Sequence, residues 1–433
     1  MKKQSSVWPK IRKFLNDIHL WAGLISGIIV LIVCFTGTVY VFNQEIRESS
    51  TPNLYKVSIG NEKKSITEMY NIVQEKSNGN ISSVKVPYDT GKSYSFIVKK
   101  KEEKAKEADK KHQKASGKKE KAGEGPPKGP QRGNPYFINP YNGEVLGDLQ
   151  GTKTTTTEFM QKMFSLHRWL LLDKIEEPIF ENLENRKLGS YITGTATILF
   201  TLGVISGIII WVPARIKSWK QGLRIKFSGN WKRTNHDLHN TLGFYSCILL
   251  FFMGITGPQW SFEWYRNGLR KFLGTYEAPD TPKPTPLKSV YTIDAKTLNY
   301  EDFLAIADKE LNYKGDYNLT FPNDSVDVVQ ITKTKIGFFA PAAGDKLTLD
   351  QYSGQVLEKD IFKQKPFNER VSLSIKALHL GDIYGTFSKI LYFIACLIAT
   401  SLPVTGVLIW INKIKKKPKG KKKEQKEVAS STI

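Results

Sequence analysis

Hydrophobic and polar positions divide the chain into two regimes. Four stretches contain no Asp, Glu, Lys or Arg: Ile18–Gln44, Leu188–Val212, Leu238–Phe262 and Ile390–Asn412. A helix needs about 20 mostly apolar residues to cross a bilayer, and each stretch exceeds that. The pattern predicts an α-helical membrane protein of four spans. Between them the period changes. Ile66–Val73 and Asn299–Ala307 read as short amphipathic helices. Ser82–Val86 with Ser93–Val98, and Val326–Thr332 with Lys335–Ala340, read as paired strands. The turns Asn139-Pro140-Tyr141-Asn142-Gly143 and Asp350-Gln351-Tyr352-Ser353-Gly354 each lead into apolar residues and predict β-hairpins. The long loops 45–187 and 263–389 are therefore expected to fold as small α+β modules. The first is interrupted at 99–132 by a Lys-, Glu-, Gly- and Pro-rich tract. That tract has too few apolar side chains to order itself, and its His112 reads as incidental.

Charge adds an orientation. Residues 1–17, the central loop 213–237 and the tail 413–433 are basic, and short basic loops stay cytoplasmic. Both termini and the central loop are thus expected inside, and both modules outside. The first apolar run is too long for a signal peptide and ends without a small-residue cleavage site, so it reads as an uncleaved helix. The formal charge of +23 and the mean hydropathy of -0.33 reflect this topology plus the Lys-rich tract. No basic fold interleaved with aromatics points to nucleic acid. Cys34, Cys247 and Cys396 all fall inside spans, without a CxxC pair, and read as small apolar filler.

The two halves of the chain match. Asp17-Ile18-His19 with Gly23 and Thr36-Gly37 returns, 220 residues on, as Asp237-Leu238-His239 with Gly243 and Thr256-Gly257. Leu166-His167, leading to Ile205, Gly207 and Trp211, corresponds to Leu378-His379, leading to Val404, Gly406 and Trp410, with 13 more residues after His167. Duplication of a helix–loop–helix unit explains both matches.

Five of the six histidines lie near span ends. His19 and His239 occupy equivalent cytoplasmic positions, His167 and His379 equivalent outer ones, and His236 shares roughly one helical face with His239. A lone histidine at a membrane interface is usually just an interfacial side chain. Two repeat-related pairs form a pattern that packing does not require. Two opposed neutral imidazoles can ligate a haem iron axially, which closes the iron to small molecules and suits electron transfer. One haem near each face would make a wire across the bilayer. Gly23 and Gly243, four residues after their histidines, leave room for a ring or serve close helix packing. Arg168 suits a haem propionate or a lipid headgroup. Metal transport by the histidines would call for acidic or thiolate partners, and the spans contain no acid. No HExxH, GxxxxGK[ST], Ser–His–Asp or GxGxxG signature occurs. Electrons from the cytoplasm would therefore need a membrane quinol or a separate reductase.

The segments Asp17-Ile18-His19-Leu20-Trp21-Ala22-Gly23-Leu24, Leu166-His167-Arg168, Asp237-Leu238-His239 with Gly243, and Leu378-His379 resemble the PepSY-associated transmembrane family. Its members are also called iron-regulated or PiuB-like membrane proteins. The turns at 140–146 and 350–357 resemble the end of a PepSY module. The resemblance implies a bacterial cytoplasmic-membrane protein with two bis-His haems of type b. It implies reduction of a ferric siderophore or similar chelate outside the membrane for iron acquisition. On this reading His19 and His239 hold one haem and His167 and His379 the other, with Trp260, Trp264 and Tyr265 near the outer face. PepSY modules also restrain peptidases, so a non-enzymatic regulator is the alternative; a siderophore or metal transporter is a third. A regulator has no use for paired axial histidines.

Overall fold

The computed structural model describes residues 8–100, 133–212, 219–282, 284–291 and 296–415. The Lys-rich tract with His112 lies outside them, apart from Lys99 and Lys100. In chain order the principal helices are α1 (Trp8–Tyr40), α2 (Ile66–Lys76), α3 (Thr155–Trp169), α4 (Asn185–Trp211), α5 (Trp231–Trp260), α6 (Glu263–Phe272), α7 (Tyr300–Glu310), α8 (Phe367–Leu380) and α9 (Gly385–Ile414). Strands β1 (Gly79–Val86), β2 (Tyr94–Lys100), β3 (Asn134–Ile138) and β4 (Val145–Asp148) follow α2. Strands β5 (Gly315–Thr320), β6 (Val328–Lys335), β7 (Asp345–Asp350) and β8 (Val356–Asp360) follow α7.

Among the described residues, α1, α4, α5 and α9 are long and apolar enough to cross a membrane. They pack as a bundle, α1 and α5 each against both α4 and α9. Its two ends differ. One carries Lys10, Arg12, Lys13, Lys413 and Lys415 and is called the basic end; the other leads into the sheet. Helix α1 continues outside its apolar run through the charged residues Lys10, Arg12 and Lys13. At that end Arg12 donates to the carbonyl of Ile210 at 3.0 Å, placing a cation on the last turn of α4 where the helix dipole is negative. Hydroxyls inside the spans return their protons to their own helices: Ser26 to Ala22, Thr38 to Cys34 and Ser246 to Leu242. No buried hydroxyl is stranded in these cases. Helix α5 is irregular. It passes through a π turn at Leu238–Leu242 and ends in a 3-10 turn at Pro258–Trp260.

The two modules share one sheet. Eight antiparallel strands run in the order β4-β3-β2-β1-β5-β6-β7-β8, and β1 pairs with β5 through Ser83 to Thr320, Val84 to Leu319 and Val86 to Tyr317. Helices α2 and α7 contribute Met69, Val73, Phe303 and Ala307 to a single core with Phe96, Leu319 and Ile331. Phe321 of the second module packs between Tyr70 and Phe96 of the first. The expected short helices and both hairpin turns are present. The turns repeat one pattern: Gly143 N–H donates to Asn139, and Gly354 N–H to Asp350. The expected pairing of Val326–Thr332 with Lys335–Ala340 is absent. The strand ends at Lys335, since Gly337 at φ 134 breaks the extended run; β6 pairs instead with β5 and β7.

Both hairpin tips at one end of the sheet meet the bundle. Lys92 in the β1–β2 turn pairs with Glu48, just beyond α1, at 3.1 Å. The β6–β7 loop joins the start of α9, where Ala342 N–H donates to Ile383 at 3.2 Å and Phe387 N–H to Phe338 at 3.1 Å.

Candidate functional site

The sequence places His19 and His239 at equivalent positions of α1 and α5, and the fold brings their rings together. Their ring centroids lie 6.1 Å apart with planes at 82°. Toward the sheet end, His167 on α3 and His379 on α8 meet at 6.3 Å and 68°. Helices α3 and α8 had no forecast from periodicity. Each is a polar helix beside the bundle that delivers a histidine against the sheet-side end of a span.

Every one of the four imidazoles is held by its Nδ1. His19 Nδ1 lies 2.9 Å from the carbonyl of Gly203, with Ser206 Oγ at 3.4 Å. His167 Nδ1 lies 2.9 Å from the carbonyl of Val33 and 3.1 Å from Thr36 Oγ1. His379 Nδ1 meets Thr256 Oγ1 at 3.0 Å and the Met253 carbonyl at 3.2 Å. His239 Nδ1 meets Thr405 Oγ1 at 2.9 Å. A carbonyl only accepts, so Nδ1 carries the proton in the first three. Thr405 spends its own proton on the carbonyls of Ser401 and Leu402, so its oxygen accepts from His239 as well. All four rings are thereby fixed in the tautomer whose Nε2 keeps a lone pair, the arrangement that orients metal-bound histidines.

A glycine follows each of these hydroxyl residues and lets the ring approach. A Cβ added at Gly207 would stand 3.1 Å from His19 Cε1, one at Gly406 3.3 Å from His239, and at Gly37 and Gly257 3.4 Å from His167 and His379. The clamp is therefore a Ser/Thr-Gly pair on each span: Thr36-Gly37, Ser206-Gly207, Thr256-Gly257 and Thr405-Gly406. Within each half, a histidine docks on the other span's clamp; each histidine pair then joins the halves. Sequence reasoning had Thr36-Gly37 and Thr256-Gly257 only as repeat markers and missed Ser206 and Thr405, although a Ser/Thr-Gly dipeptide in every span was the signal.

The first pair opens onto a cavity of about 360 Å³, within the roughly 300–1,000 Å³ of cofactor sites. Gly23, Gly203, Gly243, Leu250 and Leu402 help to line it. A Cβ at Gly23 or Gly203 would meet nothing within 4 Å, and one at Gly243 only Leu402 at 3.8 Å. Gly23 and Gly243 thus border open space, and helix packing gives no reason for them. His236 also lines the cavity, but its side chain is 56% exposed beside Asp237.

At the sheet end, burial lowers the pKa of His379 to about 3, with His167 adding to it and the Met253 carbonyl opposing. Burial likewise lowers that of His167, against the Val33 carbonyl. Burial thus favours the neutral form of both rings. Arg168 places its guanidinium 5.5 Å from the Trp169 ring. Trp260 stands edge-on to His379 at 4.9 Å.

The donor set fits a haem. Two imidazole nitrogens about 2 Å from one ion put the ring centroids about 6 Å apart, close to both observed separations. Among the described residues, no cluster of three or more His, Cys, Asp and Glu could hold a bare metal ion. A pair of imidazoles therefore suits an ion that brings its other four nitrogens with it, as a porphyrin does.

The chain matches the family model for the PepSY-associated TM region over residues 17–413, and it belongs to that family as a multi-pass membrane protein. No curated protein matches it.

Proposed function

We propose that this chain is a di-haem transmembrane electron-transfer protein that reduces ferric chelates outside the cytoplasmic membrane, built by duplication of a two-span unit. The observation that carries the proposal is the pair of facing imidazole sets, at 6.1 and 6.3 Å, each ring anchored through Nδ1. The haem, when bound, would supply one-electron chemistry. The chain does the rest. His19 with His239 and His167 with His379 hold the two irons. The Ser/Thr-Gly clamps fix ring tautomer and tilt, Gly23 and Gly243 leave room for the macrocycle, and Arg168 is placed to meet a propionate.

Residues 19 to 36 of α1 span about 25 Å at about 1.5 Å per residue, so the two pairs divide a membrane about 30 Å thick. Lys10, Arg12, Lys13, Lys413 and Lys415 at the end with His19 and His239 support a cytoplasmic position for it. Electrons then enter from a quinol or a cytoplasmic reductase and leave on the sheet side. There the chelated Fe(III) becomes Fe(II), a softer and less charged ion that oxygen ligands hold less tightly.

The test is an absorption spectrum of the detergent-purified protein, oxidised and then reduced with dithionite. We expect sharp b-type α and β bands and about two haems per chain. About one should be lost in His19→Ala/His239→Ala and the other in His167→Ala/His379→Ala. A protein that stays colourless after haem-supplemented expression overturns the proposal.

A further inference from the structure

The two halves end differently on the sheet side, and the difference points to where the electron leaves. Positions 40 and 260 are equivalent under the 220-residue offset. In the first half, Tyr40 packs against Phe164 at 5.5 Å, and Phe164 rests on Trp169, itself only 9% exposed. Tyr40 and Phe164 are half-buried, and only Trp169 behind them is buried. In the second half, Trp260 touches His379 at 4.9 Å and is still 39% exposed. Its backbone is pinned. Gly194 has no side chain, and Ser261 fills the space where one would stand; Ser190 and Ser261 hydrogen-bond at 3.1 Å. Trp260 thus spans from a candidate iron ligand to the surface. Helix α6 follows directly, with Trp264 65% exposed and Arg266, Arg270 and Lys271 against the lone acid Glu263. The hydroxyl of Tyr265 ties this helix to the carbonyl of Ile255 at 2.9 Å.

We infer that Trp260 is the docking face for the ferric chelate, and that the chelate is anionic and aryl-bearing, of the tris-catecholate class. The inference rests on the reductase reading above. The indole offers a flat surface on which an aryl ligand stacks. The surplus of cations on α6 draws an anion in and disfavours a neutral, aliphatic hydroxamate. Stacking there brings the chelated Fe(III) within one side chain of His379. The Fe(III) gains one electron and becomes Fe(II). The electron would come from the cofactor that His167 and His379 would hold, resupplied on the far side by a flavoprotein or by a quinol that releases its protons there, and no proton accompanies it to the chelate. Trp260 itself is a positioning residue and is not oxidised.

Redox-inert Ga(III) complexes test this without turnover. Ga(III) tris-catecholate and Ga(III) tris-hydroxamate would be titrated calorimetrically into the full chain in nanodiscs, as wild type, Trp260→Ala, Trp260→Phe and Tyr40→Ala. The catecholate should bind wild type, Trp260→Phe and Tyr40→Ala within about threefold of each other, and Trp260→Ala about tenfold more weakly. The hydroxamate should bind weakly throughout. An unchanged reduced α band in Trp260→Ala shows that the cofactor sites survive. Equal catecholate binding by wild type and Trp260→Ala, or none by wild type, overturns the inference and leaves Trp260 as an interfacial anchor. Reoxidation of the dithionite-reduced protein by the Fe(III) complexes separates the two claims. If no ferric chelate reoxidises it, the reductase reading fails. If reoxidation by the catecholate is as fast in Trp260→Ala as in wild type, only the docking inference fails.

Discussion

The two halves of this molecule hold their histidines alike and surround them differently. In each half a Ser/Thr-Gly pair on one span receives the histidine of the other element, with Nδ1 on a hydroxyl or carbonyl and a glycine under the ring. The elements that carry the histidines do not match so well. His19 rides a regular helix, whereas His239 sits in a π turn, an irregularity frequent at functional sites. The helix bearing His379 ends on Gly381, while the one bearing His167 ends on two leucines in left-handed conformation and a longer return to α4. The invariant part is the part that sets ligand geometry. What varies decides access and stability.

Substitutions at the clamps and at the helix ends sharpen this comparison. The largest effect is expected at the glycines. Gly207→Leu should abolish haem binding at the basic-end pair and leave the other, read as a halved pyridine-haemochrome content, because His19 Cε1 already lies 3.1 Å from the position of a Cβ. With Ala the disturbance of the ring should fall in the order Gly207, Gly406, then Gly37, following the distance from Cβ to the imidazole; at Gly257 the added Cβ also meets Thr197 Cγ2 at 3.1 Å. Equal tolerance of Leu at all four would break the clamp model. Next come the hydroxyls. Thr405→Ala should weaken haem retention by about tenfold or more, since Thr405 meets His239 at 2.9 Å. Ser206→Ala should do less, because Ser206 lies 3.4 Å from His19 whereas Thr405 lies 2.9 Å from His239, and each ring keeps a backbone carbonyl, Gly203 or Leu402. Haem loss to excess apomyoglobin measures both.

The smallest effects lie at the helix ends. Gly381→Ala brings a Cβ 2.5 Å from Tyr392 at φ 82 and should lower the thermal midpoint. Leu171→Gly relieves a left-handed leucine at φ 63 and should stabilise by about 1 kcal/mol. Detergent melts that moved both the same way would contradict this.

Much of this was legible in the residues. The four charge-free runs foretold the spans, because the bilayer imposes a length and an apolar surface that leave a plain trace. The offset of 220 related His19 to His239, the shared Leu-His motif related His167 to His379, and the hairpin turns declared themselves through Asn139, Asp350 and their glycines. The rest depended on distant partners. Pairing of β1 with β5 joins Val84 to Leu319, and no local pattern announces a contact at that separation. The π turn leaves no sign in Leu238–Leu242, whose composition suits an ordinary helix. Helices α3 and α8 were passed over because their apolar positions serve a bundle already counted as complete. The choice between His239 and His236 needed geometry: only His239 faces His19.

The seam between β1 and β5 also bears on how the protein is made. Strand β1 leaves the ribosome more than two hundred residues before its partner, and at roughly 5–20 residues per second it waits on the order of ten to forty seconds with one edge open. His19 and His167 wait with it, each lacking the residue it will face. During that interval a nascent first half meets the conditions for pairing with another copy of itself, edge to edge. The safe order of biogenesis is therefore synthesis of the second half, closure of the seam, and only then loading of the cofactor proposed above.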